Sequence, residues 1–343
     1  MHFDFDDEQQ WLRDAARKFL KQHSNSESVR VAMRSPGGYS EAVWKRAAEE
    51  MGWASLIIPE EFGGVGLGQV ALIGLQEELG RRLFCSPFFS TVCLATNALC
   101  GCTNAELKSE LLTQIAAGEL TATLACSESR RVWQPLAVET TLTEDGEGFR
   151  LSGTKPLVLN AQTSDLLLVV AKRDSDPTSL ELVAVPAKSD GVAVTPLVAM
   201  DETRALGSVS FDGVLITPNS MLTGPGEVTA LLERVFQLAS IALAAEQVGG
   251  AAECLDMAVD YAKERVQFGR PIGSFQAIKH KCADMLTLVE SARSAVYYAA
   301  WAADNNEPDF GELASICKAY ASEAFFRCAA ESIQIHGGIG FTW

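Results

Sequence analysis

Four carboxylates stand along one alanine-rich stretch: Glu233, Glu246, Glu253 and Asp256. A carboxylate serves as a general base when it faces a substrate and its pKa is raised toward neutrality. Glu246 suits that task best, because it sits in ALAAEQVGG, among small apolar neighbours that would desolvate its charge. The other reading of Glu246 is a structural glutamate paired with an arginine or lysine. Glu233, beside Arg234, reads as half of a solvated pair, and Glu253 and Asp256 fall where exposed helix faces are expected. Further along, Arg265, Phe268 and Gln276 lie in RVQFGRPIGSFQAIKH, and Gln334, Gly337 and Gly338 lie in QIHGGIGFT. An arginine can neutralise a pyrophosphate through paired charge-assisted bonds. A glutamine offers an adenosine both donor and acceptor, and adjacent glycines let backbone N–H groups approach a ligand. By residue chemistry alone, a helix-ending arginine and a glycine turn are the favoured reading of these segments.

Other chemistry-bearing residues read as structural. Glu60 and Glu61 are adjacent in the loop IIPEEFGGVGLG and belong to a solvated turn. His280 and His336 read as packed or hydrogen-bonding side chains. The nine cysteines form no CxxC pair, and Cys100 and Cys102 flank a single glycine, too close for a zinc knuckle. No metal site is expected, and the thiols read as free in a reducing compartment. Tyr297, Tyr298 and Trp301 fall at helical spacing and read as a packed helix interface.

The elements that must hold these residues change period along the chain. Phe5, Trp11, Leu12, Ala15, Ala16, Phe19 and Leu20 predict an amphipathic helix. Further helices are predicted over 39–51, 69–83 and 108–118, the last ended by glycine. Between Thr121 and Leu222, short β-rich runs broken by Gly, Pro and Asp predict an antiparallel sandwich or barrel. After Gly226 the helical period returns, over 227–268, 277–305 and 312–335. The expected architecture is α+β: an N-terminal helical domain (1–120), a central antiparallel β-sandwich or barrel domain (121–225) and a C-terminal helical bundle (226–343).

Composition limits the partners. The 343 residues carry 28 Lys and Arg against 44 Asp and Glu, a formal charge of −16. Such a chain is a poor general binder of nucleic acid or of an anionic membrane. The acidic N-terminus MHFDFDDEQQ lacks the pattern of a signal peptide, and the apolar run 166–171 is too short to span a bilayer. A cytoplasmic protein is expected.

The 265–280 segment, the 334–342 segment and the loop IIPEEFGGVGLG together resemble the acyl-CoA dehydrogenase family, as does the helical–β–helical order. The resemblance covers nearly the whole chain, and RxxFGxxIxxFQ is its most specific motif. It implies an FAD-dependent enzyme. A carboxylate takes the α-proton of an acyl-CoA thioester, the β-hydrogen leaves as hydride to the flavin, and a trans-2-enoyl product forms. Electrons then pass to an electron-transfer flavoprotein. It also implies that the flavin ring sits against the β domain of one subunit, with its ADP end held by the C-terminal helices of the neighbour. By position, Arg265, Phe268 and Gln276, then Gln334, Gly337 and Gly338, match the ADP contacts.

The sequence departs from the family pattern in three places. The stretch 125–134, which matches a flavin-binding TEPxAGSD-like segment, keeps Glu128 and lacks Gly-Ser-Asp. After Gly153-Thr154-Lys155, the aromatic and the hydroxyl that usually meet the flavin are replaced by Leu157 and Leu159. The sequence ends at Trp343, before a region in which many members carry their catalytic glutamate. Short members with an eroded flavin motif resemble the paired subunits of bacterial steroid side-chain degradation, which form α2β2 heterotetramers with a homologous subunit. In other members the base aligns with Ala239; Glu246 lies seven residues on, about two turns and about 10 Å along the same face. The resemblance carries the base to Glu246 and implies a bulky acyl-CoA substrate. Two rival expectations are a non-catalytic subunit that completes a partner's FAD site, and a flavin oxidase of the same fold.

Overall fold

The computed structural model describes residues 6–128, 137–176, 178–224 and 226–342. Phe5, the 129–134 part of the flavin-motif stretch and Trp343 lie outside the described residues.

Helix α1 (Asp7–His23) opens at a capping box: Asp6 accepts from the Gln9 amide at 2.8 Å, and the Gln9 side chain accepts from the Asp6 amide. It buries Leu12, Ala16, Phe19 and Leu20, whereas Trp11, one of the apolar set, faces solvent. A short α2 (Ser26–Met33), which the sequence reading passed over, follows. The helix predicted over 39–51 is α3 (Glu41–Lys45), capped by Ser40 and widened into a π-helical turn at Arg46–Glu50. Helix α4 (Gln69–Arg81) takes its N-terminal cap from far along the chain. Asp304 accepts from the amides of Gln69 at 2.6 Å and Val70 at 3.0 Å, a role that the preceding Gly68 cannot fill. A π-helical segment, Phe89–Thr96, continues into α5 (Asn97–Cys100); the helix predicted at 108–118 is α6 (Ala105–Ala116), capped by Asn104.

The β-rich runs form one sheet. Strands β1 (Ala122–Ala125), β2 (Thr141–Asp145), β3 (Gly148–Leu159), β4 (Leu166–Arg173), β5 (Leu180–Pro186), β6 (Val192–Leu197) and β7 (Leu206–Ile216) are ordered β1-β4-β2-β3-β7-β6, with β5 on β4. The pairing is mostly antiparallel, as expected, but β4 runs parallel to both β1 and β2. The continuous apolar run in β4 has a simple cause. Leu166, Leu168 and Val170 enter one core, and Leu167, Val169 and Ala171 enter another, so both faces of the strand are buried.

Helix α7 (Val228–Glu264) stops four residues before its predicted end. Phe268 (φ +54°) and Gly269 (φ +75°) are left-handed, and Pro271 follows, so the chain turns through a small hairpin, β8 (Val266–Gln267) and β9 (Arg270–Pro271). Helices α8 (Gln276–Asp304), α9 (Phe310–His336) and α10 (Gly338–Phe341) complete the described chain. By length and composition α7 could cross a bilayer, but half of its most apolar window is buried inside the protein, and Ile241, Ala244, Ala245 and Val248 form core.

The chain divides into two compact units: residues 1–26, 68–84 and 237–343, and residues 27–67 and 85–236. The first is helical, with α1, α4, most of α7, α8 and α9. The second contains the sheet with α3, α5, α6 and the first turns of α7.

Candidate active site

In the helical unit, α4 and α7 touch backbone to backbone. A Cβ placed on Gly80 would lie 2.0 Å from the Glu246 carbonyl oxygen, and one on Gly249 would lie 1.9 Å from that of Glu77. Two glycines on facing helices thus remove the side chains that would hold the helices apart. That approach brings Gln76 of α4 to Glu246 of α7, and the Gln76 Nε2–H donates to Glu246 Oε2 at 2.7 Å. Gln76 is 2% exposed, while Glu246 is half-buried. Ala239, two turns earlier, is buried. Beside Glu246, Gln247 Oε1 accepts from Ser322 Oγ at 3.2 Å, and that hydroxyl accepts from Lys318 Nζ at 2.6 Å.

Sequence reasoning missed Gln76, although a signal was present. Every residue of α4 from Ala71 to Gly80 is buried, including three consecutive polar ones, Gln76, Glu77 and Glu78. A helix buried all round must partner its polar residues. Glu77 meets Arg13 and Arg293, and Glu78 meets Arg13 and Arg17, with bonds of 2.7–3.3 Å. These two acids are structural ion pairs of α1, α4 and α8. Glu253 and Asp256 need a correction in one respect: Glu253 is half-buried and clamped by Arg81 and Arg82, while Asp256 is exposed and meets Arg81. Glu233 and Arg234 are exposed.

The second group of candidates gathers at one end of the same unit. Arg265 follows α7, Phe268 sits at the hairpin tip, Gln276 starts α8, and Gln334, Gly337 and Gly338 close α9. The helix ends are joined by a stack of Tyr261 on His336 (4.4 Å, 23°) and by the Lys281–Glu331 ion pair. His336 also hydrogen-bonds the Ser332 carbonyl at 2.7 Å, as a packed histidine would. Arg265, Gln276 and Gln334 are exposed, and Phe268 is 92% exposed. Gly337 turns left-handed (φ +62°), and a Cβ on Gly337 or Gly338 would meet only open space.

In the sheet unit, Glu128 accepts three hydrogen bonds. Its Oε1 accepts from Lys155 Nζ at 2.5 Å and from the Thr140 amide at 3.0 Å, and its Oε2 accepts from the Glu139 amide at 2.5 Å. Burial opposes its ionisation, but the Lys155 charge and the amide donors outweigh that and hold the carboxyl below its ordinary value. Lys155 is fully buried, and there burial outweighs the ion pair and pulls the ammonium down. Next to it, Leu157 is half-exposed, Val158 is buried, and Asn160 is a left-handed turn residue whose Oδ1 accepts from Ser90. The nine cysteines form no disulfide, and burial pushes up the thiols of Cys85, Cys100, Cys102, Cys126, Cys254, Cys282, Cys317 and Cys328, Cys126 to about 11 and Cys102 to about 12. They are protonated near neutrality and poor nucleophiles.

Three family models match almost the entire chain: "Acyl-CoA dehydrogenase, N-terminal domain" over residues 6–119, the middle domain over 123–214 and the C-terminal domain over 229–343. The chain belongs to the acyl-CoA dehydrogenase family. Acyl-CoA dehydrogenase IpdE2 of Mycolicibacterium smegmatis is 33% identical over 98% of this chain and 89% of its own. A solved structure described as the Tcur3481-Tcur3483 steroid ACAD G363A variant shares 32% identity and a TM-score of 0.85, covering 97% of this chain and 88% of the other. The ChsE4-ChsE5 complex from Mycobacterium tuberculosis shares 27% identity and a TM-score of 0.86, covering 100% and 90%.

The cofactor of acyl-CoA dehydrogenases is FAD, and the two units differ in how they suit it. At the ends of α7, α8 and α9, an exposed guanidinium, two exposed carboxamides and an open glycine pair fit the diphosphate and adenosine in donor chemistry. On the sheet, Leu157 and Leu159 offer the ring no hydrogen-bonding group, and the oxygens of Glu128 are already occupied.

Proposed function

We propose that this chain is the incomplete subunit of a heteromeric acyl-CoA dehydrogenase, and that its Glu246 takes the α-proton of a bulky acyl-CoA thioester. The observation that carries the reading is the Glu246 carboxyl group, half-buried on α7 and oriented by the buried Gln76. FAD, when bound, accepts the β-hydrogen as hydride. The residues of this chain do the rest. Gln76 fixes one carboxylate oxygen, and the proton comes to rest on Glu246. Arg265, Phe268, Gln276, Gln334, Gly337 and Gly338 hold the ADP end of a cofactor whose ring is cradled by a homologous partner. The leucines at 157 and 159 support that division of labour.

Likeness to a steroid acyl-CoA dehydrogenase named for two gene products, and to a two-component complex, supports an α2β2 assembly and a steroid side-chain type of substrate. The charge of −16 argues that CoA is held by local basic groups or by the partner rather than by a broad positive field. An electron-transfer flavoprotein is the acceptor, and cysteines outside any disulfide suit a cytoplasmic setting.

Two measurements test this. Purified alone, the chain should lack flavin absorbance, and it should gain it when co-purified with its partner; a yellow, fully active single chain overturns the heteromer. With the partner, Glu246→Gln should lower turnover about 10³-fold, the scale of a lost general base. Unchanged turnover would leave the chain as a non-catalytic subunit.

A further inference from the structure

Where α7 meets α9, the fold gathers hydrogen-bond donors that outnumber their acceptors. Two glycines let the helices approach: a Cβ on Gly250 would lie 2.7 Å from the Phe325 ring, and one on Gly311 would lie 2.6 Å from the Gln237 amide. That seam joins Lys318, Ser322 and Gln247. The Lys318 ammonium donates to Ser322 Oγ at 2.6 Å. The Ser322 O–H reaches two acceptors, the Lys318 carbonyl at 2.8 Å and Gln247 Oε1 at 3.2 Å. In the helical unit the half-buried cations Arg13, Arg81, Arg82, Lys281 and Arg293 each meet a carboxylate. Lys318 is half-buried too, yet it meets none among the described residues, in a chain whose formal charge is −16. Burial pulls its ammonium below the ordinary value. The Nε2–H pair of Gln247 likewise has no partner among the described residues.

Taking the α-proton of a thioester breaks the Cα–H bond, sends the proton to the base and spreads the electron pair onto the carbonyl oxygen. A donor already fixed beside that oxygen stabilises the charge as it develops. Gln247 directly follows Glu246 on α7, and consecutive side chains leave a helix about 100° apart. One thioester lying along this side of α7 can therefore offer its α-hydrogen to Glu246 and its carbonyl oxygen to Gln247. We propose that Gln247 is a catalytic residue that donates through Nε2–H to the thioester carbonyl oxygen, and that Ser322 and Lys318 position it. This rests on the reading of Glu246 as the base. Ser322 holds Oε1 and so fixes which way the N–H pair points, and Lys318 holds Ser322 and places a positive charge behind the amide. As the β-hydrogen leaves as hydride to FAD, the electron pair returns from the oxygen to form the Cα–Cβ double bond, and the carbonyl is restored. A glutamine kept only for contact with water needs neither the hydroxyl nor the cation behind it.

The test uses the assembled enzyme and a 3-thia analogue of a steroid side-chain CoA thioester. Sulfur in place of the β-carbon lets the α-proton leave and withholds the hydride, so exchange of the α-hydrogen with deuterium oxide reports proton abstraction alone. A carbon-13 label at the thioester carbonyl isolates its infrared stretch, which falls as hydrogen bonding to the oxygen strengthens. In Gln247→Met, which keeps the length and removes the donors, exchange should slow about 10²-fold, the scale of one lost oxyanion donor. The carbonyl band of the bound analogue should rise with it. Ser322→Ala only loosens the tether; it should slow exchange about fivefold and move the band part of the way. A merely structural Gln247 would lower the melting temperature and leave both the exchange rate and the band unchanged, which overturns the proposal. If Glu246→Gln abolishes exchange while Gln247→Met exchanges as wild type, this inference fails and the base survives. If Glu246→Gln still exchanges the α-hydrogen, the base reading fails and this inference falls with it.

Discussion

Glu128 in the sheet unit and Glu246 in the helical unit are both partly buried carboxylates, and they are held in opposite ways. Glu128 has a buried lysine and two backbone amides on its two oxygens, a set that stabilises the charge. Glu246 receives a neutral amide from Gln76 on one oxygen. A buried cation favours the ionised form of a carboxylate, whereas a neutral carboxamide on one oxygen orients the group. The same residue type thus becomes scaffold in one unit and candidate base in the other, according to the partner that the fold delivers.

Breaking each carboxylate should produce opposite signatures. Glu246→Gln should cost about 10³ in turnover with little change in the unfolding midpoint. Glu128→Ala should strand Lys155, which is 0% exposed, and cost about 3 kcal/mol in denaturant unfolding. Equal losses of turnover in the two variants would erase the distinction. Next in size, Gly80→Ala forces a methyl group against the Glu246 carbonyl. It should cost about 1–3 kcal/mol and, by separating α4 from α7, weaken the Gln76–Glu246 bond and lower turnover. Asp304→Ala removes the borrowed cap of α4 and should cost about 1 kcal/mol, read from the urea midpoint. The smallest effect concerns pH. Because the folded carboxyl of Glu128 titrates below its ordinary value, its contribution is complete above about pH 4.3 and is lost as pH falls through the lower folded value. Urea midpoints between pH 6 and 3 should therefore fall more steeply in wild type than in Glu128→Gln.

Parts of this molecule are legible without coordinates because they are local. The apolar spacing of α1, the glycine that ends the helix near 118 and the apolar run of β4 each follow from residues a few positions apart. The end of α7 was misread because Phe268, a non-glycine residue, takes a left-handed φ that neither composition nor periodicity announces. The π-helical widenings at 46–50 and 89–96 leave the helical pattern nearly intact and were also invisible. Glu253 was read as exposed because nothing near it in the chain signals Arg81 and Arg82.

The amino-acid order alone determined the succession of helices and strands, the surplus of negative charge and the motifs that mark an acyl-CoA dehydrogenase. Each of these depends on neighbours within a turn or two, or on a simple count. Only the tertiary structure decided which carboxylate is clamped and which is held by a carboxamide. Gln76 and Glu246 are 170 residues apart and meet where the α4 and α7 backbones approach closely, and Asp304 caps a helix 235 residues away. Such contacts have no period and no local propensity, so they come into being when the chain packs.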